Sequence, residues 1–140
     1  MNNMPEVLQG LWTYRSFNNQ PDLNIDFDKL EFGRGNLRID EAPLQTLKGL
    51  IYGEGWQLTL TGSVNYGDPF TLRFQGKGVV NGEEWIYAYL GYFVNEWPNG
   101  VDQRPAIVGS IVRVIPHSGG DGTVHPAGVV ASWYAVKQRR

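Results

Sequence analysis

The chain has 140 residues, 41% of them hydrophobic and 19% charged, with 12 basic against 14 acidic side chains, 18 glycines, 8 prolines and no cysteine. These values describe one globular domain over residues 1–140 and exclude disorder and collagen. A net charge of -2 leaves no excess of positive charge for a phosphate backbone, so nucleic acid is not an expected partner. Without cysteine there is neither disulfide nor thiolate chemistry, and a reducing compartment is compatible. Residues 1–6 carry neither a basic nor an apolar leader pattern, and no apolar run reaches the length of a membrane span. A cytoplasmic location and no membrane partner are expected.

In chain order, residues 7–17 read as the first strand, with Trp12, Tyr14 and Ser16 on one face and Leu11, Thr13, Arg15 and Phe17 on the other. Gly10 there allows close approach of another backbone. Residues 18–29 are polar, hold Pro21 and have no helical period, so a loop is expected. Leu30-Glu31-Phe32 and Leu37-Arg38-Ile39 flank Gly33-Arg34-Gly35-Asn36, the composition of a hairpin turn between two short strands. Residues 40–48 are the one place for a helix, but Pro43 in their middle removes a donor and argues for a loop.

Gly53-Glu54-Gly55 joins the arms of a second hairpin, and in its later arm Leu58, Leu60 and Val64 alternate with Gln57, Thr59, Thr61 and Ser63. After a turn at 65–69, Phe70, Leu72 and Phe74 oppose Thr71, Arg73, Gln75 and Lys77 with the same period. Asn81-Gly82 then turns the chain into the aromatic stretch 85–94, and Pro98-Asn99-Gly100 leads into 107–115; these two are the strongest β signals present. A glycine-rich loop at 117–126 precedes a last strand from 128 to about 137.

Eight or nine strands with short turns and no crossover helix predict an all-β fold. The expected architecture is a single antiparallel up-and-down barrel of about eight strands, closed because closure removes both edges. Trp85, Tyr87, Tyr89 and Phe93 share one face, while Ile86, Leu90, Tyr92 and Val94 occupy the other; in the next strand Val108, Val112 and Val114 oppose Ile107, Ile111 and Ile115. Both faces are apolar, so cover from a loop or from another subunit is expected, which makes a homo-oligomer.

Gly10-Leu11-Trp12 resembles the Gly-x-Trp start of the calycin barrels, the lipocalins and avidins. The resemblance implies that Trp12 plugs one end of the barrel and that a basic residue near the last strand, Lys137 or Arg139, covers it. The chain has neither the Thr-Asp-Tyr-type loop nor the C-terminal helix of lipocalins. It is more similar to avidin-type and allene-oxide-cyclase-type barrels, in which one chain makes one barrel and several assemble. The implied function is binding of a small apolar or aromatic molecule. An isomerase or cyclase using the same cavity and a non-catalytic oligomeric assembly module are the alternatives, because fold does not choose among them.

The expected ligand-binding residues are Trp12, Tyr14, Trp85, Tyr87 and Tyr89 in the barrel interior, with Glu96 and Arg104 at its rim and Trp56, Phe70 and Phe74 completing the lining. Tyrosine hydroxyls would orient a ligand there, or the side chains would simply fill a small barrel. Glu83, Glu84 and Glu96 bracket the aromatic strand, and a carboxyl at an apolar mouth has a raised pKa suited to acid/base work; the alternative is a solvated turn carboxylate. Arg104 would clamp a ligand carboxylate, or pair with Asp102 or Glu96 to pin its loop. His117, Asp121 and His125 share the glycine-rich loop at a spacing that matches no metal motif, so neither metal nor cofactor is expected. No nucleophile elbow and no phosphate-cradling loop is present, which leaves open whether the protein is an enzyme.

Overall fold

The computed structural model describes residues 3–119 and 122–138. Eight strands close into an antiparallel up-and-down barrel: β1 (Gly10–Asn18), β2 (Glu31–Ile39), β3 (Thr46–Gly53), β4 (Trp56–Asn65), β5 (Thr71–Val80), β6 (Glu83–Val94), β7 (Ala106–Arg113) and β10 (Val130–Lys137). Two short strands, β8 (His117–Ser118) and β9 (Val124–His125), pair with each other in the loop before β10. The seam is closed by β10, which lies between β7 and β1.

Alternation drives the architecture. Strand β4 buries Leu58, Leu60 and Val64 while Gln57, Thr59 and Thr61 face water, and β6 buries Tyr87, Tyr89 and Phe93 in the same way. Asn81 and Gly82 take left-handed φ values of 52° and 82°, which is the twist a two-residue hairpin needs to carry β5 into β6.

One predicted hairpin is absent. The segment expected to turn at Gly33-Arg34-Gly35-Asn36 is the middle of the continuous strand β2, which pairs with β1 from Gly10 opposite Ile39 to Phe17 opposite Glu31. Its glycines serve packing and not a turn: a Cβ on Gly35 would collide with the Tyr52 carbonyl and stand 3.2 Å from the Trp56 ring. The first strand is also shorter than predicted. Residues 5–9 form a coil that tucks Leu8 inside, with Leu8 N–H donating to the Pro5 carbonyl at 3.1 Å.

The two ends of the barrel differ. At one end, Trp12 is fully enclosed, and its indole N–H donates to the carbonyl of the buried Leu8 at 3.0 Å. Lys137 lies 5.2 Å from the Trp12 ring and donates to the carbonyls of Glu6, Val7 and Gln9, fastening the plug. The other candidate for that role, Arg139, lies outside the described residues. Above the plug, Phe74, Tyr89, Tyr14 and Trp133 pack ring on ring across the middle of the interior, with the Phe74 and Tyr89 rings stacked at 4.8 Å. The opposite end is not filled.

On the outside of β6, β7 and β10 the apolar side chains expected to be covered stand open to solvent in the isolated chain; Tyr92 is 44% and Val108 42% exposed. These two lie side by side, and Val108 is opposite Tyr134 on β10.

Candidate functional site

Because the strands alternate in direction, the turns and loops 19–30, 54–55, 81–82 and 114–129 gather at the end away from Trp12. Beneath them a cavity of about 210 Å³ is bordered by Tyr14, Phe32, Trp56, Leu58, Trp85 and Tyr89, among others. Phe32, Trp85 and Tyr87 also border a neighbouring cleft that touches Asn18, Glu31, Arg113, His117 and His125. The surroundings are aromatic with a few polar groups, the composition of a small-molecule pocket.

Those polar groups form one chain. Tyr87 and Arg113 are directly opposite in the β6–β7 register, and both point inward, only 5% and 6% exposed. Arg113 Nε–H donates to the Tyr87 hydroxyl at 3.0 Å, and that hydroxyl lies 2.7 Å from His117 Nε2. His117 Nδ1 is 3.1 Å from the Ser118 carbonyl, which only accepts, so the imidazole proton sits on Nδ1 and Nε2 receives the Tyr87 proton. Trp85 stacks flat on the imidazole. The guanidinium carbon sits 5.0 Å from the Phe32 ring and 5.7 Å from the Tyr87 ring.

Burial governs the protonation of these groups. It pushes the Tyr14 hydroxyl up to about 12 against hydrogen bonds to Ser16 and Tyr89, and raises Tyr89 well above the ordinary tyrosine value. Burial also raises Tyr87, although the Arg113 hydrogen bond and charge pull the other way. It lowers His117, so the imidazole is neutral at neutral pH. Of the two readings of these carboxylates, a raised carboxyl at an apolar mouth and a solvated turn carboxylate, Glu83 does not follow the first. The Ser118 hydroxyl and backbone N–H both donate to its carboxylate and hold it below the ordinary glutamate value. Its neighbour Glu84 faces outward, 3.5 Å from Lys77.

No protein-family model, curated protein or solved structure matches this chain.

Of the residues singled out from sequence, Tyr14, Trp85, Tyr87 and Tyr89 come together at the cavity. Trp12 shares their face but closes the far end. Glu96 and Arg104 lie in the 95–105 loop, exposed, on the Trp12 end and not at the open rim, because the chain reverses direction along β6. Arg104 does not pin that loop either: the ion pairs among the described residues are Arg34–Glu31, Arg38–Asp40 and Lys77–Glu84, and Gln103 does the pinning by accepting from Trp97 N–H at 2.9 Å. Asp121 lies outside the described residues; the His117 and His125 rings lie 5.4 Å apart, and among the described residues no group of three or more metal-ligating side chains assembles. His117, although it belongs to a glycine-rich loop, is buried.

Arg113 escaped sequence reasoning, and His117 was weighed there only as a metal ligand. Arg113 shares the odd-numbered parity of Ile107 and Ile111, which marks it as inward-facing, and that parity was the available signal. His117 carried none, since a glycine-rich loop has no period from which to read burial.

Proposed function

We propose that residues 1–140 form one calycin-like barrel domain that binds a small apolar or aromatic molecule in the open half of its interior. The observation that carries this reading is the unfilled space of about 210 Å³ beside Trp56 and Trp85, in a barrel whose other half is packed with rings. Drug-sized pockets run to roughly 300–1,000 Å³, so the ligand is compact, on the scale of one or two fused rings or a short chain. The test is a fluorescence screen with small aromatic and short fatty compounds. Binding should move the tryptophan emission and disappear in Leu58→Trp, which fills the space; a wild-type protein silent to the whole panel would refute the reading.

Catalysis in the same cavity, of the isomerase or cyclase kind, is favoured by one observation. The Arg113–Tyr87–His117 chain places a hydroxyl between a permanent cation and a neutral imidazole, an arrangement able to pass a proton to and from a bound substrate. Mass spectrometry of ligands recovered after incubation would detect conversion, and conversion equal in Tyr87→Phe would exclude the hydroxyl.

A second copy of this chain is the macromolecular partner we infer. The outer face of β6, β7 and β10 is apolar at its centre, from Leu90 and Tyr92 through Val108 to Tyr134, with Arg73, Lys77 and Arg15 only on the flanking strands. That is the core-and-rim layout of a protein interface, and one face supplies both halves of a two-fold contact.

A further inference from the structure

We propose that the ligand is anionic: the cleft beside the cavity holds a carboxylate against Arg113, while the ligand's apolar body occupies the cavity. This rests on the binding reading above and adds the chemistry of the head group.

The reasoning starts from a charge without a counterion. Arg113 is only 6% exposed as a residue, and buried charges are ordinarily paired. Arg113 has only neutral partners among the described residues. Nε donates to Tyr87, Nη1 donates to the Pro126 carbonyl at 3.2 Å, and the rest of the contact is the faces of Phe32 and Tyr87. One acidic side chain, Glu31, lines the same cleft, and its carboxylate is bound to Arg34 at 2.7 Å. Glu83 is taken up by Ser118.

Nη2 has no protein acceptor among the described residues. Every enclosed side-chain nitrogen or oxygen there does have one, so Nη2 is open to the cleft. An N–H pointing into a cleft from a cation held rigidly on three sides is a prepared anion site, and its planar fork suits a carboxylate. The remaining polar lining agrees: Asn18 offers an amide, and His117 and His125 supply no negative charge. Because Phe32, Trp85 and Tyr87 border both spaces, a flat ring lying among them in the cavity would carry its carboxylate into the cleft. A short aryl or alkyl carboxylate fits this description.

The experiment is titration calorimetry with two matched probes, 2-naphthoate and its neutral amide, on wild type, Arg113→Met and Asn18→Asp. Wild type should bind the carboxylate at least ten-fold more tightly than the amide. Arg113→Met should erase that preference and keep the amide affinity. Asn18→Asp leaves the buried chain intact and sets a like charge across the cleft; it should weaken the carboxylate several-fold and spare the amide, so the proposal stays testable even if Arg113→Met fails to fold. Equal affinities of wild type for both probes would overturn the carboxylate site and leave the cavity reading standing. Binding of neither probe would overturn both.

Discussion

Trp85 lies against the His117 imidazole with ring centroids 3.9 Å apart and planes only 14° from parallel. One residue is on the barrel wall and the other is on a loop, so the stack ties the lid of the open end to the wall. Together with the bonds from Tyr87 and to Ser118, it leaves the imidazole with one orientation and one tautomer.

That fixed imidazole makes the protein's stability depend on pH. Burial holds His117 below the ordinary histidine value, with the Ser118 carbonyl opposing and the Arg113 charge assisting. The folded state therefore takes the proton less readily than the unfolded chain. The contribution is present in full above a pH of about 6.5 and is lost as pH falls from there through the lower folded-state value. Melting curves should show Tm falling between about pH 7 and pH 5, and falling less in His117→Phe. Parallel falls in the two proteins would assign the effect to another group.

Tyr87→Phe removes the acceptor of Arg113 Nε–H and the donor to His117 Nε2 while keeping the ring. Leaving buried polar groups unpaired costs about 1–3 kcal/mol, to be read from urea unfolding. The exposed Tyr92→Phe is the control and should stay within about 0.5 kcal/mol of wild type.

Gly91 makes room for Trp133. A Cβ there would stand 2.8 Å from the Trp133 ring and 2.8 Å from Ile107, and the Trp133 indole N–H is held by the carbonyls of Ser110 at 2.9 Å and Leu90 at 3.2 Å. Gly91→Ala should destabilise by about 1–3 kcal/mol through overpacking. Trp133→Phe is destabilising alone but should relieve part of the Gly91→Ala cost, so the double mutant is less unstable than the sum of the singles. Strict additivity would show that the two residues do not compete for that space.

Charge on the outer face should separate copies without unfolding them. Val108→Lys is expected to give a monomer with an unchanged melting curve where wild type is an oligomer, measured by light scattering. Ile111→Glu, three positions along the same strand, points inward and should fail to fold. A monomeric wild type at micromolar concentration would refute the assembly.

The strands were legible because a one-sided barrel wall demands a period of two, which Leu58 and Leu60 of β4 and Leu72 and Phe74 of β5 keep, while β6, apolar on both faces in sequence, was legible from its aromatic and β-branched content. The hairpin at Gly33–Asn36 misled because a glycine that admits a neighbouring backbone and a glycine that turns look alike in sequence; only the approach of Tyr52 and Trp56 distinguishes them. The placement of Glu96 and Arg104 was recoverable. In an up-and-down barrel successive connections alternate between the two ends, so counting from Trp12 puts the β6–β7 loop on the plugged end. The Arg113–Tyr87–His117 chain was beyond reach, since it depends on a loop folding back over the wall.

The seam has a consequence for how the protein is made. Strand β10 is bordered by β1 on one side and β7 on the other, and it also carries Trp133 into the interior and Lys137 to Trp12. Until residues 130–137 have left the ribosome, a nascent chain has two unpaired edges and an unroofed aromatic interior, the surfaces on which partly folded chains aggregate. Removing residues 130–137 should therefore turn the protein into an aggregating chain, and chaperone supply should matter most before β10 has paired.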